Sequence, residues 1–321
     1  MLRTALLSIL ALPALTGLSS AQDYPAKSIR LVVPFAPGGA NDIIARLVAV
    51  KLQEAWGQSV VVDNRGGGNA IIGTELVARA PRDGYTLLMG NMNLVTNPAL
   101  VAKMPYDTMK DLTAVALLAT SPTVLVAATN PPIASVRELI AYAQANPGKL
   151  SYGTSGVGST THMPMELLIS MTGIKMVAVH YKGGGPMLVD LIAGRVTPAF
   201  NTILSVIQHV QAQRLRALAV STAKRTPALP NVPTVAESGV PGYDFTGWWG
   251  LVTTAGTPQP VIDKLNAELG RILAQKDVRD KLVEQGADPD HMSAAQFGAY
   301  LRTELVKWDK VIRSANIQAQ H

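Results

Sequence analysis

The sequence predicts an α/β protein of two domains, and three observations carry that expectation. Strand and helix patterns alternate twice, once on either side of Asn130-Pro131-Pro132. About 300 residues remain once an N-terminal leader is set aside, more than one hydrophobic core usually holds. In both halves, glycine-rich loops leave strands and open helices, as connections in parallel sheets do.

The leader is residues 1–21. Arg3 precedes the apolar run Ala5–Leu15, and small residues end the segment at Ser19-Ser20-Ala21. This is the layout of a secretory signal cleaved after about Ala21, and the run is too short to span a bilayer. No later stretch offers about 18 apolar residues free of charge and proline. The mature chain is therefore expected to be exported, soluble and without a stable membrane anchor. It has no cysteine, which removes disulfides, thiolate metal sites, cysteine nucleophiles and a lipid-bearing cysteine. The net charge of +6 comes from scattered Lys and Arg with few aromatics. That pattern argues against nucleic acid and allows mild attraction of anions.

In the first half, Ile29–Phe35 reads as a strand, Asn41–Trp56 as a helix, Val60–Asp63 as a strand and Ala70–Ala80 as a helix. The turn Pro81-Arg82-Asp83-Gly84 leads to a strand over Tyr85–Met89, and two apolar runs follow, Ala114–Ala119 and Thr123–Ala128. Ser135 and Glu138 form a capping box that opens a helix to about Asn146. The second half repeats the pattern: strand Leu150–Tyr152, helix Met165–Met171, strand Met176–Tyr181, and helix Met187–Ala193 stopped by Gly194. Strand Arg195–Phe200, helix Ile203–Ala212 and strand Leu215–Ser221 complete it. Past the proline-rich stretch Pro227–Pro241, a strand over Trp248–Thr253 leads to helices Val261–Gln275, Asp277–Gln285 and Ser293–Arg313. Ser293 and Gln296 cap the last of these.

Chemistry concentrates in the loops. Pro34–Asp42, with Gly38 and Gly39, leaves a strand and opens a helix, so exposed N–H groups and the positive helix end can face an anion. A tight turn capped by Asn41 or Asp42 explains the same residues equally well. Gly153–Thr161 repeats the arrangement with hydroxyls at Ser155, Ser159 and Thr160, and Lys182-Gly183-Gly184-Gly185-Pro186 is a third such loop. Recurrence in both halves favours a site in the crevice between domains. Asn91, Asn93 and Asn201 stand at strand ends, where a parallel sheet meets ligands. Trp248-Trp249 can wall a pocket or fill the core.

Enzyme patterns are near misses. Val157 stands where a nucleophile elbow needs glycine, Gly156–Thr161 lacks the last glycine of the dinucleotide fingerprint, and no phosphate-binding Gly-Lys-Ser/Thr occurs. No cofactor or metal is expected. The competing readings are a secreted α/β hydrolase-like enzyme using Ser155 with His162 or His180, and the ligand-sensing subunit of a signalling system.

Taken in order, several stretches resemble the Bug-type receptors, the solute-binding components of tripartite tricarboxylate transporters. They are Tyr24-Pro25, Val33–Gly39 with Asp42, Asp83–Leu88, Pro105-Tyr106-Asp107, Tyr152–Gly156, Tyr181-Lys182-Gly183, Leu215–Val220, Leu229–Thr234 and Ala255–Pro258. The resemblance spans the mature chain. It implies a periplasmic, type II-like two-domain binding protein that performs no catalysis and delivers a small carboxylate to two integral membrane subunits. It also implies domains over 22–122 plus 246–321 and over 123–245, with crossovers near Ser121–Val124 and Asp244–Trp248. The ligand-binding residues so implied, together with those at strand ends, are Phe35, Gly38, Gly39, Asp42, Asn91, Ser155, Ser159, Thr160, Tyr181, Asn201 and Trp248. Three positions depart from the family pattern: His180 replaces a proline, and Thr197 and Asn201 replace acids. Without an acid to receive an ammonium, the cleft is expected to select a ligand bearing only acid groups.

Overall fold

A computed structural model describes residues 24–129, 133–284, 286–314 and 317. The leader 1–21 lies outside the described residues.

The chain runs β1 (Ile29–Val33), α1 (Ala40–Trp56), β2 (Val60–Asn64), α2 (Ile71–Ala78), β3 (Thr86–Gly90), α3 (Asn93–Leu100), α4 (Thr108–Asp111) and β4 (Leu112–Ala128). It continues α5 (Val136–Ala145), β5 (Ser151–Thr154), α6 (Met163–Thr172), β6 (Val177–His180), α7 (Gly184–Ile192), β7 (Ala199–Thr202), α8 (Ile203–Gln211) and β8 (Leu215–Val220). The last elements are β9 (Thr246–Thr254), α9 (Gln259–Ala274), α10 (Lys276–Glu284), β10 (Asp288–Met292) and α11 (Ala294–Ser314).

The first lobe is built on the strand order β2-β1-β3-β9-β4-β10. β2 and β3 flank β1 in parallel, whereas β9 joins β3, β4 joins β9 and β10 joins β4 antiparallel. It follows that β1 to β4 point one way and β9 and β10 the other. In the second lobe, β4 lies antiparallel to both β7 and β8, β5 pairs in parallel with β6, and Gly153 N–H donates to Pro198 O at 3.2 Å.

The two apolar runs that read as separate strands are one strand of 17 residues. β4 pairs with β9 as far as Pro122↔Thr246, then takes β7 and β8 from Thr123 onward. Proline has no N–H to give to a ladder, and it sits where the partners change. β7 is also shifted from the predicted Arg195–Phe200, because Arg195 closes the end of α7 on Asp190, its backbone N–H bonding Asp190 O at 2.9 Å. α3 escapes sequence reading because Pro98 interrupts its pattern, and β10 because its Asp-Pro-Asp-His sequence is that of a polar edge strand.

Burial explains the layers. Ile44, Ala45, Val48, Ala49 and Leu52 form one helical face of α1, which packs in a core with Ile29, Leu31, Val33 and Leu251. Met187, Leu191, Val206 and Ile207 of α7 and α8 cover Val124, Val126 and Val220 in the second lobe. At about 1.5–3 kcal/mol for each such side chain, these contacts hold the strand ends in place.

Candidate functional site

Two helix starts away from the cleft carry ordinary caps. Asp107 accepts from Met109 and Lys110 N–H at the start of α4, and Ser135 accepts from Glu138 N–H at the start of α5. Three helices that begin at the interface do not: α1 starts at Gly39, α7 at Gly183 and α8 at Thr202, each without a side-chain cap. Their first N–H groups have no partner inside the helix. The three positive ends meet at one cleft, lined by Gly39, Ala40, Asn41, Gly184, Thr202 and Ser205 together with Phe35, Asn91, Ser155, Thr160, Thr161, Asn201 and Trp249. No side chain in this lining is charged.

Asparagines organise the first-lobe wall. Asn41 donates to Met89 O at 3.3 Å, while its Oδ1 accepts from Trp249 Nε1 at 3.1 Å and Asn91 Nδ2 at 3.3 Å. On the second-lobe wall, Asn201 Oδ1 accepts from Thr202 N–H at 2.9 Å. That bond orients the amide, so Nδ2 is the free end. Asn201 Nδ2 and Thr160 Oγ1 are both buried with no hydrogen-bond partner among the described residues. Such groups cost free energy unless something accepts from them.

Phe35, Gly39, Asn91, Ser155, Thr160 and Asn201 thus come together, but five other candidates do not line the cleft. Gly38 donates its N–H to Asp42 Oδ2 at 3.1 Å, and Asp42 also takes Arg46 Nε and Asn64 Nδ2, each at 3.0 Å. Burial alone would raise the Asp42 carboxyl, but these donors hold it below its usual range. Asp42 braces the turn. Asp42→Ala is expected to cost about 2 kcal/mol of stability, measured by chemical denaturation, because it leaves several donors unpaired.

Ser159 accepts from His162 N–H at 3.2 Å and meets Thr161 Oγ1 at 3.0 Å, so it closes its own turn. Tyr181 donates to Asp190 at 2.7 Å, and burial, then this acid, pushes its hydroxyl up to about 12. Trp248 points away, edge-on to Phe297 and Tyr300, while Trp249 faces the cleft. Adjacent strand residues face opposite sides, and only the packing tells which side is which. Thr197, noted for its missing acid, accepts from Ala128 N–H at 3.1 Å and is also outside the lining. Sequence reasoning missed Asn41 as more than a cap, as well as Thr202 and Ser205. Their common signal was the uncapped helix start.

The hydrolase pairing does not form. Ser155 Oγ meets Thr161 Oγ1 at 2.9 Å, whereas His162 Nδ1 accepts from Gly158 N–H at 3.1 Å and its Nε2 faces Glu166 at 3.4 Å. His180 lines a different cavity, with Tyr152 and Glu166.

Residues 44–317 match the family described as Tripartite tricarboxylate transporter family receptor. The chain belongs to that family. The receptor is 36% identical to Protein BugT of Bordetella pertussis over 298 residues, which cover 92% of this chain and 91% of that one. Two solved structures share the fold closely. An R. palustris protein solved with adipate is 40% identical with a TM-score of 0.90, covering 92% of the receptor and 99% of that chain. MatC from Rhodopseudomonas palustris with bound malate is 31% identical with a TM-score of 0.86, covering 90% and 100%.

Proposed function

We propose that the receptor works in the periplasm, closing two lobes on a small organic carboxylate and handing it to two integral membrane subunits. The observation that carries this reading is the pair of unpaired buried donors, Thr160 Oγ1 and Asn201 Nδ2. A carboxylate only accepts hydrogen bonds, so it satisfies both, as well as the three helix starts. An ammonium would add donors to a wall that has no charged acceptor. The adipate and malate bound by the two solved relatives support the same class. In this reading the protein catalyses nothing, since Ser155 has no base.

The lobes are 22–122 with 246–321, and 123–245; the change of β4 partners after Pro122 supports that division. Export follows from the leader, and among the described residues no helix is long and apolar enough to cross a membrane. The cleft is lined by residues of both lobes, so a dicarboxylate enters when the lobes part and is covered when they meet.

A thermal-shift screen followed by calorimetry tests the reading, with adipate and malate set against 2-aminoadipate and aspartate. A ligand at 100 times its Kd adds about 2.7 kcal/mol of stability. At least one amine-free acid is expected to bind, and to bind more tightly than its amine-bearing partner. Thr160→Ala is expected to weaken that binding about 10- to 150-fold with little loss of stability. Tighter binding of the amino acids would overturn the reading.

A further inference from the structure

The lobes are held shut by contacts away from the ligand. Asn93 Nδ2 of α3 donates to Val157 O at 2.9 Å, Thr96 Oγ1 donates to Gly158 O at 2.8 Å, and Val157 N–H donates to Asn69 Oδ1 at 3.1 Å. All three join the first lobe to the turn Val157-Gly158. Gly158 has φ +71°, and a Cβ there would stand 2.5 Å from Thr96 Oγ1, so the turn has little freedom to shift while Thr96 holds it.

What fixes the turn from behind is His162. Its Nδ1 accepts from Gly158 N–H, which requires an unprotonated nitrogen, and its Nε2 faces Glu166. The ring is 96% out of solvent's reach, with a side-chain exposure of 4%. Tyr152 of β5 stacks on it at 6.2 Å and donates to Glu166. His180 of β6 meets it edge-on at 5.3 Å, and Lys175 lines the cavity these groups share. Burial first, and then His162, depress His180 to about 4, so His180 stays neutral across the range in which free imidazole titrates. Burial would raise Glu166, yet His162, Tyr152 and His180 hold it below its usual range, so it stays charged over the same interval.

We propose that His162 is a positioning residue for closure: the acceptor at Nδ1 holds the Gly158 N–H and so presents the Val157 and Gly158 carbonyls to Asn93 and Thr96 of α3. Without that acceptor the buried Gly158 N–H is unpaired, the turn has to move, and the Thr96 and Asn93 bonds go with it. This rests on the receptor reading only in supposing that the lobes open and close.

The test uses lobe separation. The chain has no cysteine, so Val189→Cys on α7 and Val306→Cys on α11, at positions 62% and 75% exposed, allow a label on each lobe. Distances between the labels are measured with and without adipate in the wild-type, His162→Asn and His162→Leu backgrounds. Asparagine places an amide oxygen near the position of Nδ1, whereas leucine offers no acceptor. The closed-to-open ratio is expected to fall roughly tenfold in His162→Leu and to be largely restored in His162→Asn. The Gly158 amide should be protected from hydrogen exchange in the wild type and in His162→Asn and exposed in His162→Leu. A wild-type ratio in His162→Leu, or an equal loss in His162→Asn, overturns the proposal. Failure of adipate to bind counts against the ligand class alone, because the response of the unliganded lobes still decides the role of His162.

Discussion

Gly185→Ala is expected to weaken carboxylate binding by about 100-fold while leaving the fold as stable as before. Gly185 is the second residue of α7 and lies in the second lobe, with an ordinary helical backbone. A Cβ built on it would stand 2.1 Å from Pro37 O, a backbone atom of the first lobe. No rotamer change relieves a clash with a carbonyl, so the lobes cannot reach the closed arrangement. The cost is borne only there. In the open form alanine favours the helix by up to about 1 kcal/mol. Losing the cross-lobe bonds, including Ala36 N–H to Lys182 O at 3.0 Å, accounts for about 3 kcal/mol and hence for the factor of 100. Calorimetric titration of adipate, paired with chemical denaturation, reads the two quantities separately. Solution scattering should show ligand-induced compaction in the wild type and none in the variant. Wild-type affinity in Gly185→Ala would mean that closure does not bring α7 against the Pro37–Gly39 loop.

Asn201→Asp should weaken carboxylate binding by at least about 100-fold. The substitution keeps the oxygen that accepts from Thr202 N–H and changes only the group facing the cleft, from a donor to an anionic acceptor. The ligand's carboxylate would then face a like charge in a wall that is 1% exposed at this residue and has no cation in its lining. Asn201→Ala, which removes the donor without adding charge, should lose only about tenfold. The ratio of affinities for 2-aminoadipate and adipate should rise in the aspartate variant. An unchanged ratio would show that residue 201 does not set the ligand's charge.

Much of the site was legible because its devices are local. Gly38-Gly39, Ser155 to Thr161 and Lys182 to Pro186 announce strand-to-helix loops without needing a neighbour. What the sequence leaves open is direction. The resemblance implied a ligand contact at Asp42, whereas in the structure its carboxylate turns back to Gly38, Arg46 and Asn64. Ser159 turns back to its own loop in the same way. Trp248 and Trp249 could not be told apart, since strand alternation sets opposite faces without saying which one meets solvent, core or ligand.

By itself the sequence determined the alternation of strands and helices, the glycine starts of the helices, the family resemblance and the neutral residue at 201. These are short-range or compositional properties, and they survive without knowledge of what packs where. Tertiary structure alone decided that two apolar runs are one strand shared by both lobes, that α1, α7 and α8 begin at the same cleft, and that Thr160 and Asn201 point their unpaired donors into it. Each of these depends on contacts between residues far apart in the chain, whose burial sets the direction a side chain faces, and no local pattern encodes that direction.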